Sequence, residues 1–154
     1  MGRLGGWFSA LLLMAAMNGQ ADADGVTVSN AWARATAPGQ KVAGVYLDIV
    51  SGTDAKLTGV QSPLAARGEL HSMRMDNGTM HMRAVEAIDL PAGKAVHLKP
   101  GDLHAMLFDL KQALAPGDKL PITLIVVDAR GIRHAIAASV QVRNLDGSEP
   151  HAHH

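Results

Sequence analysis

From residue 26 onward, apolar and polar side chains alternate in short bursts, each stopped by a turn signal. A period of two marks a half-buried β-strand. The clearest case is Gly44–Val50, where Val45, Leu47 and Ile49 share one face and Tyr46, Asp48 and Val50 the other. Such segments predict strands over Val26–Ala33, Val42–Val50, Ala55–Val60, Gly68–Met75, Met80–Glu86, Ala95–Leu98, His104–Leu110, Leu120–Val127 and Arg133–Val142. Between them stand turn formers, among them Ala37-Pro38-Gly39, Asp76-Asn77-Gly78, Pro91-Ala92-Gly93, Pro100-Gly101-Asp102 and Pro116-Gly117-Asp118. Only Leu110–Leu114 reads as a helical turn. Many short strands at this spacing predict an all-β sandwich or barrel.

The two ends depart from this pattern. Arg3 precedes an apolar run, Trp7–Met17, which gives way to Asn18-Gly19-Gln20 and then Ala21-Asp22-Ala23. A positive start, a short apolar stretch and a small-x-small site form a secretory signal peptide. The expectation is a leader over residues 1–23, cut after Ala23, and a domain over residues 24–143. The apolar run is well short of the ~20 residues of a spanning helix. No cysteine follows the run, so lipid attachment there is excluded. A soluble periplasmic protein without a membrane anchor is expected. Residues 144–154 are polar, close with His151-Ala152-His153-His154, and read as a flexible tail.

Composition narrows the chemistry. Lys plus Arg and Asp plus Glu are 14 each, giving a net charge of zero, which argues against nucleic acid or anionic membrane as partners. Cysteine is absent, which removes disulfides, thiolate zinc, iron–sulfur clusters, a Cys nucleophile and the His₂Cys blue-copper site. Aromatics are 3%, too few for a base-stacking platform. No nucleophile–base pair and no Gly-rich phosphate loop appear, so the protein reads as a non-enzyme. What remains is eight His and eight Met. Met1, Met14 and Met17 leave with the leader, and the other five lie between positions 73 and 106.

Asn77-Gly78 between alternating segments signals a two-residue hairpin. Closed there, Asp76 faces Thr79, Met75 faces Met80, Met73 faces Met82 and His71 faces Ala84. One face then carries His71, Met73, Met75, Met80 and Met82, and the other Ser72, Arg74, His81 and Arg83. His104 and Met106 share a side of a later strand, just past a turn. Taken singly, each Met is a core filler and each His a structural residue as readily as a ligand. Taken together, they form a set of soft and borderline donors. Thioether sulfur is soft and uncharged and suits Cu(I), not Zn²⁺, Ca²⁺ or Mg²⁺. Two imidazoles and two thioethers make a neutral set for a monovalent d¹⁰ ion.

These residues resemble a known family. His71, ten residues, Met82, twenty-one residues, then His104-x-Met106 is the motif of the PCu(A)C-type periplasmic copper chaperones. Ala31–Thr36, Gly68–His71, Asp76-Asn77-Gly78, Leu98–Gly101 and His104–Leu107 extend the likeness over roughly residues 29–142. The resemblance implies a cupredoxin-like Greek-key β-sandwich or barrel, with His71, Met82, His104 and Met106 ligating Cu(I). It implies a monomeric metallochaperone delivering copper towards the dinuclear centre of cytochrome c oxidase, through an oxidase subunit or its assembly factor. Copper sequestration without a dedicated recipient would use the same site. Asp102 departs from the family, which often has glycine there. Met73, Met75 and Met80 fall outside the motif, as an apolar collar or as transient ligands. His97 and His134 read as ordinary strand or surface histidines. His151, His153 and His154 offer nitrogen donors suited to a second, Cu(II)-binding site, or form a solvated tail.

Overall fold

The computed structural model describes residues 21–150, so most of the leader and the tail histidines His151, His153 and His154 lie outside the described residues. The described chain is all-β: β1 (Ala21–Ala23), β2 (Val26–Arg34), β3 (Ala43–Ser51), β4 (Ala55–Gln61), β5 (Ala65–Asp76), β6 (Thr79–Val85), β7 (Ile88–Leu90), β8 (Ala95–Leu98), β9 (His104–Leu110), β10 (Lys119–Asp128) and β11 (Arg133–Arg143). The nine predicted strands are all present, with ends moved by up to three residues. β1 and β7 were not foreseen, because three residues are too few to show alternation. β1 pairs with the start of β2 through Ala21↔Val28 and Ala23↔Val26. Cleavage after Ala23 would remove that short edge strand.

The helical turn expected at Leu110–Leu114 does not form. Leu110 stays in β9, and the Lys111 N–H donates to the Leu64 carbonyl at 2.9 Å. Thr36 captures both backbone groups of Leu114: its hydroxyl accepts from the Leu114 N–H at 2.9 Å, and its own N–H donates to the Leu114 carbonyl at 2.9 Å. These long-range bonds replace the local ones a helix would need.

The strands follow one path, β6-β5-β9-β3-β2-β11-β10-β4-β7, with β8 on β3 and β1 on β2. Neighbours in space are often distant in sequence, the mark of Greek-key winding. Among the described strands only β2 and β11 pair in parallel. The sheet curls until β4 lies against β5. There a Cβ on Gly68 would stand 2.3 Å from the Val60 carbonyl oxygen, so only glycine fits the crossing. The enclosed core is aliphatic, with Leu47, Ile49, Leu57, Leu90, Leu107, Leu120, Leu124 and Ile136 all fully buried. The alternation read in β3 holds, with Val45, Leu47 and Ile49 inward. None of the five described methionines belongs to this core.

Candidate metal centre

The β5–β6 hairpin closes as its sequence requires. Asn77 and Gly78 take φ of 47° and 77°, the two left-handed residues of a type I′ turn. The register is Asp76↔Thr79, Met75↔Met80, Met73↔Met82 and His71↔Ala84. On its other side β5 pairs with β9, setting His71 opposite His104 and Glu69 opposite Met106. β3 then places Gly44 beside Met106. Leu70, Ala105, Leu107 and Val45 point into the core. By alternation His71, His104 and Met106 therefore stand on the outer face of the barrel wall.

Although they face outward, the two imidazoles are covered, with exposures of 8% at His71 and 5% at His104. Their ring centroids lie 5.6 Å apart. Phe108 flanks His71 at 6.0 Å, and Tyr46 flanks His104 at 6.3 Å. The Arg67 guanidinium roofs Phe108 at 4.3 Å, and Trp32 backs Tyr46 at 4.7 Å. Gly44 makes room for Tyr46: a Cβ there would be 2.8 Å from the phenol oxygen.

Hydrogen bonding sets the tautomer of each ring. His104 Nδ1 lies 2.9 Å from the Asp102 carbonyl oxygen, which can only accept. Nδ1 therefore carries the proton, and Nε2 keeps its lone pair. His71 Nε2 lies 2.8 Å from a Glu69 carboxylate oxygen, so Nε2 donates. His71 Nδ1 is left as a lone-pair nitrogen, buried and without a hydrogen-bond partner. Glu69 is itself held by Arg67 at 2.9 Å. Metal-binding histidines are typically oriented in this way, through the nitrogen that does not bind.

A cavity of about 320 Å³ opens beside the rings, lined by Gly44, Tyr46, Met73, Met82, His104 and Met106. Three of the four motif residues thus line one space, and His71 stands next to it against His104. Of the remaining methionines only Met73 reaches the cavity. Met75 and Met80 are 63% and 42% exposed at the hairpin's end. His81 borders a separate groove with Ser72, Arg74 and Arg83, on the face expected for it. Met82 touches both spaces.

Glu69 escaped the sequence reading, although the parity that groups Met73 with His71 also groups Glu69 with it. The Asp102 carbonyl escaped too. Its side chain accepts from the Leu103 N–H at 2.8 Å, so the aspartate shapes the turn that presents His104. The other described histidines stand apart from the cavity. His97 pairs with Asp48 at 2.6 Å. Burial works to raise the Asp48 pKa, but hydrogen bonds from Asn30 and His97 outweigh it and hold the carboxyl below its ordinary range. His134 bridges Asp128 at 2.9 Å and Asp24 at 3.4 Å.

Comparison with known proteins places the chain. A family model described as "Putative lipoprotein LpqE-like" matches residues 26–140. "Putative lipoprotein Lxx21020" of Leifsonia xyli subsp. xyli (strain CTCB07) is 40% identical over 104 residues, 66% of this chain and 62% of its own. The chain thus spans less than two thirds of that relative. Among solved structures, the apo PCuAC domain from PmoF1 matches with a TM-score of 0.62 at 25% identity, over 80% of this chain and 98% of that one. The solution structure of Cu(I)-DR1885 from Deinococcus radiodurans matches with a TM-score of 0.57 at 26% identity, over 73% and 74%.

The fold is that of the PCuAC domains, all-β, as the motif implied. The chain belongs to the LpqE-like family. Lipoproteins are exported proteins, although this sequence of 154 residues contains no cysteine. Among the described residues no helix is long and apolar enough to cross a membrane.

Proposed function

We propose that this protein is a periplasmic Cu(I) carrier, with copper as its cargo and no catalytic turnover of its own. His71, Met82, His104 and Met106 take one ion. The chain is exported behind residues 1–23 and acts as a monomer. It delivers copper towards the dinuclear centre of cytochrome c oxidase, through an oxidase subunit or its assembly factor. His151, His153 and His154 provide a second set of nitrogen donors for Cu(II).

One observation carries this reading. Two adjacent buried imidazoles each keep one nitrogen free of hydrogen bonds, beside a cavity whose walls include Met82 and Met106. An unpartnered buried nitrogen costs about 1–3 kcal/mol, and so calls for a partner that is absent from the protein alone. A soft cation satisfies both lone pairs, and the thioethers select Cu(I) over harder ions.

X-ray absorption on the Cu(I)-loaded protein tests the ligand set. A mixed shell with about two sulfurs fits it, whereas an all-nitrogen or sulfur-free shell rejects it. Sequestration remains the competing role, and a gene deletion separates the two. Failure of oxidase assembly at low copper means delivery, and copper sensitivity with normal oxidase means storage.

A further inference from the structure

Met75 and Met80 are left over by the four-ligand site, and their placement is unusual. The five large apolar side chains exposed among the described residues are Met75, Met80, Met82, Ile132 and Leu145, so the hairpin supplies three. Methionine exposed beside a turn gains nothing from burial. In a two-residue hairpin the residues flanking the turn form a hydrogen-bonded pair. The next pair out, Met75 and Met80, is therefore non-hydrogen-bonded, as is Met73 with Met82 two positions on. Opposed side chains come closest at such positions, with Cα atoms about 4.5 Å apart. Both pairs lie on the face that carries His71. The hairpin thus presents two rungs of paired thioethers roughly 7 Å apart. The inner rung opens into the cavity and the outer rung into solvent.

We infer that Met75 and Met80 form a second soft-metal site, an entry site that captures Cu(I) from solution and hands it through Met73 and Met82 to the cavity. Two thioethers suit the low coordination number of a monovalent d¹⁰ ion. With two neutral ligands and no imidazole, the outer site binds weakly and exchanges fast, as an entry site must. Asp76 and Thr79 occupy the opposite face, so the carboxylate next to the turn does not compete for the ion, and Glu69, six residues before Met75 on β5, is engaged by Arg67 and His71. Only the onward route rests on the carrier reading; binding at the outer rung does not.

The test is anaerobic Cu(I) titration of the full chain carrying ¹³C-methyl methionine, with Ag(I) as a redox-inert repeat. The first equivalent should move the Met82 and Met106 methyls. Further metal should move those of Met75 and Met80 together, in fast exchange. The double variant Met75→Leu with Met80→Leu should keep the tight site and load it from a chelated Cu(I) donor about tenfold more slowly. Met82→Leu with Met106→Leu should lose the tight site and keep the Met75 and Met80 shifts. If Met75 and Met80 stay still while Met82 and Met106 move, or if the leucine pair loads at the parent rate, the entry site is wrong. If instead Met82 and Met106 stay still, the carrier site itself is wrong.

Discussion

His71 and His104 face each other across β5 and β9, and each is held by the nitrogen that the other task does not need. Glu69 and the Asp102 carbonyl thus leave one nitrogen of each ring uncommitted, ready for the ion of the proposed site. Such preparation lowers the cost of organising ligands at the moment of binding.

Glu69→Gln should keep the fold and weaken Cu(I) binding by roughly 10–100-fold, the usual effect of losing a partner that orients a ligand. Competition against a Cu(I)-specific chromophoric chelator measures it. Affinity equal to the parent would show that the carboxylate has no part in orienting His71.

Met82→Leu separates chemistry from packing. Met82 is 52% exposed, and the swap nearly conserves volume, so unfolding should shift by less than about 1 kcal/mol. Cu(I) affinity should fall by more than about tenfold, because a thioether donor is gone. Denaturant unfolding and chelator competition on one sample check both halves. Unchanged affinity would remove Met82 from the ligand set.

Two glycines predict unequal costs for the same substitution. At Gly68 an added Cβ meets backbone, the Val60 carbonyl oxygen at 2.3 Å, so Gly68→Ala should destabilise by roughly 3 kcal/mol. At Gly44 the obstacle is the end of the Tyr46 side chain, at 2.8 Å. Gly44→Ala should therefore cost about 1 kcal/mol or less while turning Tyr46 off Trp32. Denaturant midpoints and near-ultraviolet circular dichroism distinguish the two.

The Asp128–His134 pair makes stability depend on pH from both sides. The hydrogen bond to Asp128, opposed by desolvation and aided by Asp24, raises the His134 pKa above 6.5. Its contribution is complete below pH 6.5 and fades as pH rises through the raised value. The hydrogen bond from His134, opposed by desolvation and aided by bonds from Ile132 and Arg130, lowers the Asp128 pKa well below 3.8. That contribution is complete above pH 3.8 and fades in stronger acid. His134→Gln should flatten the decline above pH 6.5, read from denaturant midpoints between pH 5 and pH 9. An unchanged slope would mean the decline originates elsewhere.

The sequence disclosed the hairpin to the residue because Asn77-Gly78 dictates a two-residue turn, and such a turn leaves one register. It disclosed the faces of β3 and β6 because strand parity is local. The pairing of β5 with β9 was beyond it, since His71 and His104 are separated by a long stretch of chain and meet through tertiary closure alone. The motif spacing therefore hinted at a gathering whose geometry alternation could not derive. β1 and β7 were too short to leave a pattern. The turn at Leu110–Leu114 went to Thr36, a competitor far along the chain.

The imidazoles project from the outside of a wall whose inside is already filled with aliphatic side chains. The scaffold therefore stands by itself, unlike small zinc domains that collapse when emptied. Under the proposed role, a vessel of this construction can surrender its contents and remain ready to be refilled.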